Sequence, residues 1–296
     1  MYLTMISKNQ IKFVKQLEMK KYRQREGLFV AEGPKVVGDL LAAGFEPHAI
    51  YATEEWILRD YGTNGTNETN ETNKTNKTNK TNETNEANEV KPFTLVSPDE
   101  LRKLSFLQHP QQVLAVFRLP SLFTRHPLPI ASHSSPSTPH LPRLELALDG
   151  IQDPGNLGTI IRIADWFGIG RIFCSQDTAD AWSPKVVQAT MGSIARVGII
   201  YTDLKEYLNH STLPICGTLL DGDDIYSQEL PQEAIIVMGN EGNGISDDIR
   251  QLITHHLLIP PYRLGAESLN VAIATAITCS EFRRRGTTLP DTNARY

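Results

Sequence analysis

The chain has 296 residues, 40% of them hydrophobic and 21% charged, enough to bury a sizeable core as one large domain or two ordinary ones. That composition excludes wholesale disorder. Lys plus Arg is 29 and Asp plus Glu is 34; the formal net charge of −5 excludes, on average, a uniformly basic coat for nucleic acid.

The N-terminus opens on a predicted helix, Lys8 to Gln16, without the apolar core of a signal peptide. Phe29-Val30 reads as a strand, and Pro34 to Ala43 as a helix stopped by Gly44. Short strands are predicted at 49–52, 93–96 and 113–117, with a helix from Pro98 to Leu104. Residues 1–119 thus read as a small α/β domain. It is interrupted at 63–89 by a Thr-Asn-charge repeat with no apolar side chain larger than alanine, expected to be a disordered insertion. Residues 120–143 are dense in Pro, Ser and His and read as a linker.

From 144 to 296 strand and helix signals alternate. LELALD, RIFC, VGIIY, PICGTLL, AIIVMG and HHLLIP are strand signals, and helices are predicted at 158–167, from Pro184 and at 267–284. Continuous apolar strands separated by helices imply an α/β fold with a mostly parallel sheet covered on both faces. Ligands on such sheets bind beyond the C-terminal ends of the strands. Cys174, Cys216 and Cys279 form neither a CxxC pair nor a zinc spacing. No apolar run approaches the ~20 residues of a membrane span. The expectation is a reduced, cytoplasmic protein with no metal and no membrane.

Charge is unevenly distributed. Residues 1–27 carry seven Lys or Arg against two Glu, a local +5. From Glu206 to Ile249 there are nine acids and no Lys or Arg. The basic N-terminal arm and Arg283-Arg284-Arg285 are therefore expected to face phosphates, with the acidic face turned away.

Three loops after strands carry candidate chemistry. In DGIQDPGNLGTIIRIAD (149–165), Asn156 sits between Gly155 and Gly158 where it would cap a helix, and Arg162 lies in an otherwise apolar helix where its charge needs a partner or a cleft. In MGNEGNGIS (238–246), three glycines permit close backbone approach, but neither phosphate-loop fingerprint is present. Glu241 there suits a hydroxyl, an amine or a guanidinium better than a pyrophosphate. In IPPYRLGAESLNVAIATAI (259–277), Glu267 and Ser268 suit an N-terminal cap, while Asn270 is expected on a buried helix among apolar neighbours.

In this order and spacing the three loops resemble the motifs of the SpoU, or TrmH-like, family of RNA ribose 2′-O-methyltransferases, within the SPOUT superfamily. The likeness covers 144–284. It extends to FVAEGPKVVGDLL, which resembles the family's RNA-binding domain, a fold like that of ribosomal protein L30e. The resemblance implies a trefoil-knotted methyltransferase domain, S-adenosylmethionine as cofactor and a homodimer. It implies cofactor contacts at Gly239, Ile259 and Leu269, and a catalytic site of Asn156, Arg162, Glu241, Ser268 and Asn270. The turn 260–265 is about a residue longer than the family's usual one. Ribosomal RNA is the expected substrate, with tRNA second, and a 2′-hydroxyl target implies no activity on DNA. The alternatives are a catalytically silent RNA-binding protein on the same fold and a nicotinamide-dependent dehydrogenase, which lacks its glycine fingerprint here.

Overall fold

The computed structural model describes residues 6–61, 93–120, 142–263 and 268–286. The 63–89 repeat, most of the predicted linker, and Leu264 to Glu267 lie outside these. The chain divides into two units, Met1–Leu119 and Pro120–Tyr296.

The first unit runs α1 (Lys8–Gln16), α2 (Lys20–Glu26), β1 (Leu28–Glu32), α3 (Pro34–Ala42), β2 (Pro47–Ala52), α4 (Glu54–Trp56), a π-helical turn (Ile57–Tyr61), β3 (Phe93–Leu95), α5 (Pro98–Leu104) and β4 (Val113–Arg118). Its sheet has the order β1-β4-β2-β3, antiparallel except for the parallel β2–β3 pair. Val14 and Leu17, together with Leu101 and Leu104 of α5, pack on one face against Val30, Tyr51 and Val116. The rings of Phe29, Phe45 and Phe117 cluster with centroids 5.7 to 6.5 Å apart. The predicted elements form, and α2, α4 and the π-helical turn are added; α2 is closed by Gly27 in the left-handed region at φ 66°.

The second unit runs β5 (Leu144–Asp149), α6 (Pro154–Trp166), β6 (Arg171–Cys174), α7 (Pro184–Ala189), a 3₁₀ turn (Ser193–Ala195), β7 (Gly198–Tyr201), α8 (Leu204–Asn209), β8 (Ile215–Asp224), β9 (Ala234–Gly239), α9 (Asp247–Arg250), β10 (His255–Leu258) and α10 (Val271–Gly286). The sheet is parallel throughout, in the order β10-β8-β9-β5-β6-β7. Side chains alternate along the strands. Leu144, Leu146, Leu148, Ile236 and Met238 pack against α6, α7 and α10. Ala147, Ile235 and Val237 pack on the other face against α8 and the segment around α9. Both faces are covered, as predicted, and the apolar runs of the strands follow from that.

The chain first builds outward from β5 through β6 and β7, then returns to place β8, β9 and β10 on the other side. The order therefore reverses between β5 and β9, which opens a crevice beyond their C-terminal ends. The knot implied by the resemblance depends on how the chain passes from Arg263 to Ser268, through residues outside the described ones.

Three expectations are corrected. Helix α6 begins at Pro154 rather than Gly158, because Asp153 caps it by accepting from Asn156 N at 2.8 Å and proline occupies its first position. Gly158 is interior to that helix, where a Cβ would lie 2.4 Å from Ala189 Cβ, so glycine permits α6 and α7 to meet. Second, Arg283-Arg284-Arg285 is not a free phosphate patch. Arg283 donates to the carbonyls of Phe167 and Pro142, both at 2.8 Å. Arg285 donates to those of Ile225 at 3.2 Å and Tyr226 at 2.5 Å, and with Arg284 it pairs with Glu281. Third, α10 starts at Val271 rather than Glu267, which leaves Ser268 and Asn270 exposed ahead of it. The three cysteines are buried, and desolvation pushes their thiols up to about 12, so they pack as apolar groups and not as nucleophiles.

Arg284, and with it Arg285, holds the Glu281 carboxyl below the usual carboxylate range. A carboxyl lowered in the folded state stabilises above its unfolded pKa and loses that contribution as pH falls through the folded one. Glu281→Gln is expected to lower stability by about 1–2 kcal/mol at pH 7. The gap from wild type should narrow as the pH falls below 4, as read by denaturant unfolding at both pH values. A gap that is independent of pH would contradict this.

Candidate active site

Three loops meet at the crevice. β5 ends at Asp149, and the chain turns at Gly150, φ 71°, into the segment leading to α6. β9 ends at Gly239, where a Cβ would lie 2.3 Å from Gly244 C, so only glycine lets the 239–244 loop fold back on itself. Asn240 and Gly244 close that loop with two backbone hydrogen bonds of 2.9 Å.

Two residues that sequence reasoning passed over lock the first two loops together. Asn240 donates through Nδ2 to Gly150 O at 2.7 Å, and its Oδ1 accepts from Gly242 N and Asn243 N. Asp149 Oδ2 accepts from Ser246 N at 2.7 Å. The signal was present as an Asx residue directly after a strand-ending glycine and an Asp at a strand's C-terminus, both typical of loop-closing side chains.

On this frame stand three of the predicted site residues. Asn156 Nδ2 donates to Glu241 Oε1 at 2.7 Å, and Asn270 Nδ2 donates to the same oxygen at 2.8 Å and to Asn156 Oδ1 at 3.0 Å. Val271 N points at that carboxylate oxygen too, at 3.4 Å. Asn270 is not a buried helix residue. It caps α10, its Oδ1 accepting from Ala272 N at 3.1 Å and Ile273 N at 3.3 Å. Glu241 therefore sits where the dipole of a 16-residue helix favours negative charge.

Arg162 is placed differently. Six residues along α6 is about 9 Å of rise and about 120° around the axis from Asn156. Arg162 is exposed and makes neither a hydrogen bond nor an ion pair among the described residues. The trio leaves it free.

Beside the trio lies a cavity of about 530 Å³, within the usual range for small-molecule sites. The predicted residues Gly239, Ile259 and Leu269 line it, as do Glu241 and Ser268. Its inner wall is apolar, from Met238, Leu257 and Val271. Asp221 and Arg250, which the sequence reading did not single out, stand on its wall as an ion pair. No cluster of potential metal ligands occurs among the described residues.

Residues 143–280 match the model of the SpoU rRNA Methylase family, and residues 8–115 match that of an MRM3-like substrate binding domain. A solved Porphyromonas gingivalis protein assigned to the TrmH family is 38% identical, with a TM-score of 0.73 over 95% of this chain and all of its own. The chain belongs to the SpoU family. A full-length relative is the Bacillus subtilis 23S rRNA (guanosine(2553)-2′-O)-methyltransferase RlmP, 28% identical over 94% of this chain and 97% of its own length. An AdoMet-bound rRNA methyltransferase from Sinorhizobium meliloti superposes with a TM-score of 0.75 at 26% identity, over 96% of this chain and 98% of that one. The α/β architecture with a parallel SpoU sheet and a preceding substrate-binding domain is thus established. No helix among the described residues is long and apolar enough to cross a membrane.

Because one SpoU-loop carboxylate oxygen accepts from two asparagines on separate segments, Glu241→Ala should loosen all three. Backbone amide exchange is expected to rise by about tenfold in both 239–246 and 270–274, equivalent to about 1.4 kcal/mol of local opening. Exchange mass spectrometry reads this directly. Protection that changes in the 239–246 loop alone would show that the trio does not join the segments.

Proposed function

We propose that this chain transfers the methyl group of S-adenosylmethionine to a ribose 2′-hydroxyl of ribosomal RNA. The observation that carries the reading is the Asn156–Glu241–Asn270 trio at the edge of a cavity whose glycine, Gly239, cannot accept a Cβ. The residues present fit the cofactor. Gly239 and Gly244 line the cavity without side chains, so backbone groups of the folded-back loop can face a nucleoside, with Ile259 and Leu269 on the wall. The apolar wall suits an adenine, and the acids suit a positively charged sulfur. Bound there, the cofactor supplies an electrophilic methyl group.

The chain's residues have to present the ribose and manage its proton. A 2′-hydroxyl is a poor nucleophile and must lose its proton as it attacks in line. Arginine keeps its proton in proteins and makes a poor general base, so Arg162 is not assigned that step. It serves instead as a clamp on the neighbouring phosphate and as a stabiliser of the developing alkoxide, with the proton leaving to phosphate or water. Its freedom from any partner among the described residues supports that role. Asn156 and Glu241 fix the edge of the site, and Ser268 and Asn270 hold the ribose edge and the loop before α10.

The RNA itself is held by the first unit. Lys8, Lys12, Lys20 and Lys21 are exposed and have no ion-pair partner among the described residues. Lys21 Nζ and Arg25 Cζ each lie over the Tyr22 ring, at 5.0 Å and 4.8 Å from its centre. By contrast Arg23 is buried and donates to Leu17 O at 2.7 Å, a structural use of its charge. The functional unit in this reading is a homodimer acting in the cytoplasm on ribosomal RNA. Exposed apolar residues on the packed helices α6 and α10, Trp166 and Ile273, support a partner surface there.

Arg162→Ala is expected to abolish methylation, by at least about 10³-fold, while calorimetric binding of the cofactor survives. Retained turnover would overturn the assignment. Replacing Lys8, Lys12, Lys20 and Lys21 together by Ala should weaken RNA binding. It should also reduce the slope of log K against log salt by about three to four, and an unchanged slope would place the RNA elsewhere.

A further inference from the structure

The cavity beside the trio has three charged side chains on its wall, Asp221, Glu241 and Arg250. Glu241 is already engaged by Asn156 and Asn270. Arg250 is the one cation among the described lining residues. It ends the short helix α9 and donates through Nη2 to Asp221 Oδ2, on the outer part of β8.

The pair stands at the rim, with 37% of the Arg250 side chain and 65% of the Asp221 side chain exposed. An ion pair this exposed contributes little to folding. Its unused groups are more telling. Among the described residues, Nε and Nη1 of Arg250 and Oδ1 of Asp221 have no hydrogen-bond partner. A guanidinium fork with spare donors stands next to a carboxylate with a spare acceptor. Such a pair complements one chemical group closely, the zwitterion of an α-amino acid, with carboxylate on the arginine and ammonium on the aspartate.

We infer that Asp221 and Arg250 form the subsite for the amino-acid end of S-adenosylmethionine, Arg250 binding its carboxylate and Asp221 its ammonium. The inference rests on the cofactor reading above and extends it. Apart from this pair, the described cavity lining holds one further charged group, the acid Glu241, and no other cation for the carboxylate. Without Arg250, that carboxylate would face Glu241 and Asp221 alone. The subsite also gives the cofactor a direction, with its methionine end toward α9.

The test is calorimetric titration of the full chain with two ligands, S-adenosylmethionine and its decarboxylated analogue. Wild type should bind the first about tenfold or more tightly than the second. Arg250→Ala should lose that preference by weakening the first alone, and Arg250→Lys should keep part of it as a point charge. Asp221→Asn should weaken both, since both retain the ammonium. Unchanged affinity of Arg250→Ala for the analogue shows that the cavity is intact. Three results overturn the inference. Wild type binds both ligands alike, or Arg250→Ala weakens both equally, or Arg250→Ala leaves both alone and weakens only a ribosomal RNA fragment, which would make a phosphate the partner. Binding of neither ligand to wild type overturns the cofactor reading itself, a separate outcome.

Discussion

One carboxylate oxygen joins the site. Glu241 Oε1 accepts from Asn156 on the β5–α6 side and from Asn270 at the cap of α10, segments separated by 114 positions in the chain. The bonds are exposed, so each alone would compete with water at nearly even terms. They hold because their ends are fixed by other means. Asp153 starts α6 at Pro154, Asn270 caps α10, and the loop carrying Glu241 is anchored by Asn240 to Gly150 and by Ser246 to Asp149. The glycine at 239 is required because the loop returns onto it. A parallel sheet whose order reverses between β5 and β9 supplies the crevice, and the side chains convert it into a shaped site.

The charges divide into those that hold the fold and those left for ligands. Arg23, Arg283 and Arg285 each satisfy backbone carbonyls, which makes them parts of the scaffold despite their sign. Lys8, Lys12, Lys20, Lys21 and Arg162 have no such use among the described residues. Asp221 and Arg250 satisfy each other only in part. The net charge of −5 therefore says little about RNA binding. What bears on it is which cations the fold leaves unspent, among them those on α1, α2 and α6.

Much of this was legible in the sequence, and the failures have physical causes. The strands were readable because a sheet covered on both faces makes unbroken apolar runs such as AIIVMG. The start of α6 was misplaced because the Gly155-Asn156 turn signal drew attention to Asn156, while the cap was the Asp153-Pro154 pair starting three residues earlier. Asn270 was read as buried because its neighbours are apolar. In fact the helix begins one residue later, and the side chain turns outward to cap it. The arginine triplet was read as a phosphate patch because a sequence shows charge but not the carbonyls that consume it. The trio itself was reached through resemblance and not through spacing, since no local pattern links positions 156, 241 and 270. Asp221 and Arg250 carried no signal at all, being an unremarkable Asp on a strand and an Arg at the end of a one-turn helix.

The account's central claim is methyl transfer to a ribose of ribosomal RNA. The most direct measurement compares 2′-O-methylated nucleotides in ribosomal RNA from a strain carrying the gene and from its deletion, mapped by nucleoside and fragment mass spectrometry. The account predicts that one ribose methyl group disappears on deletion and returns with the intact gene. An identical set of ribose methylations in the ribosomal RNA of the two strains would contradict it.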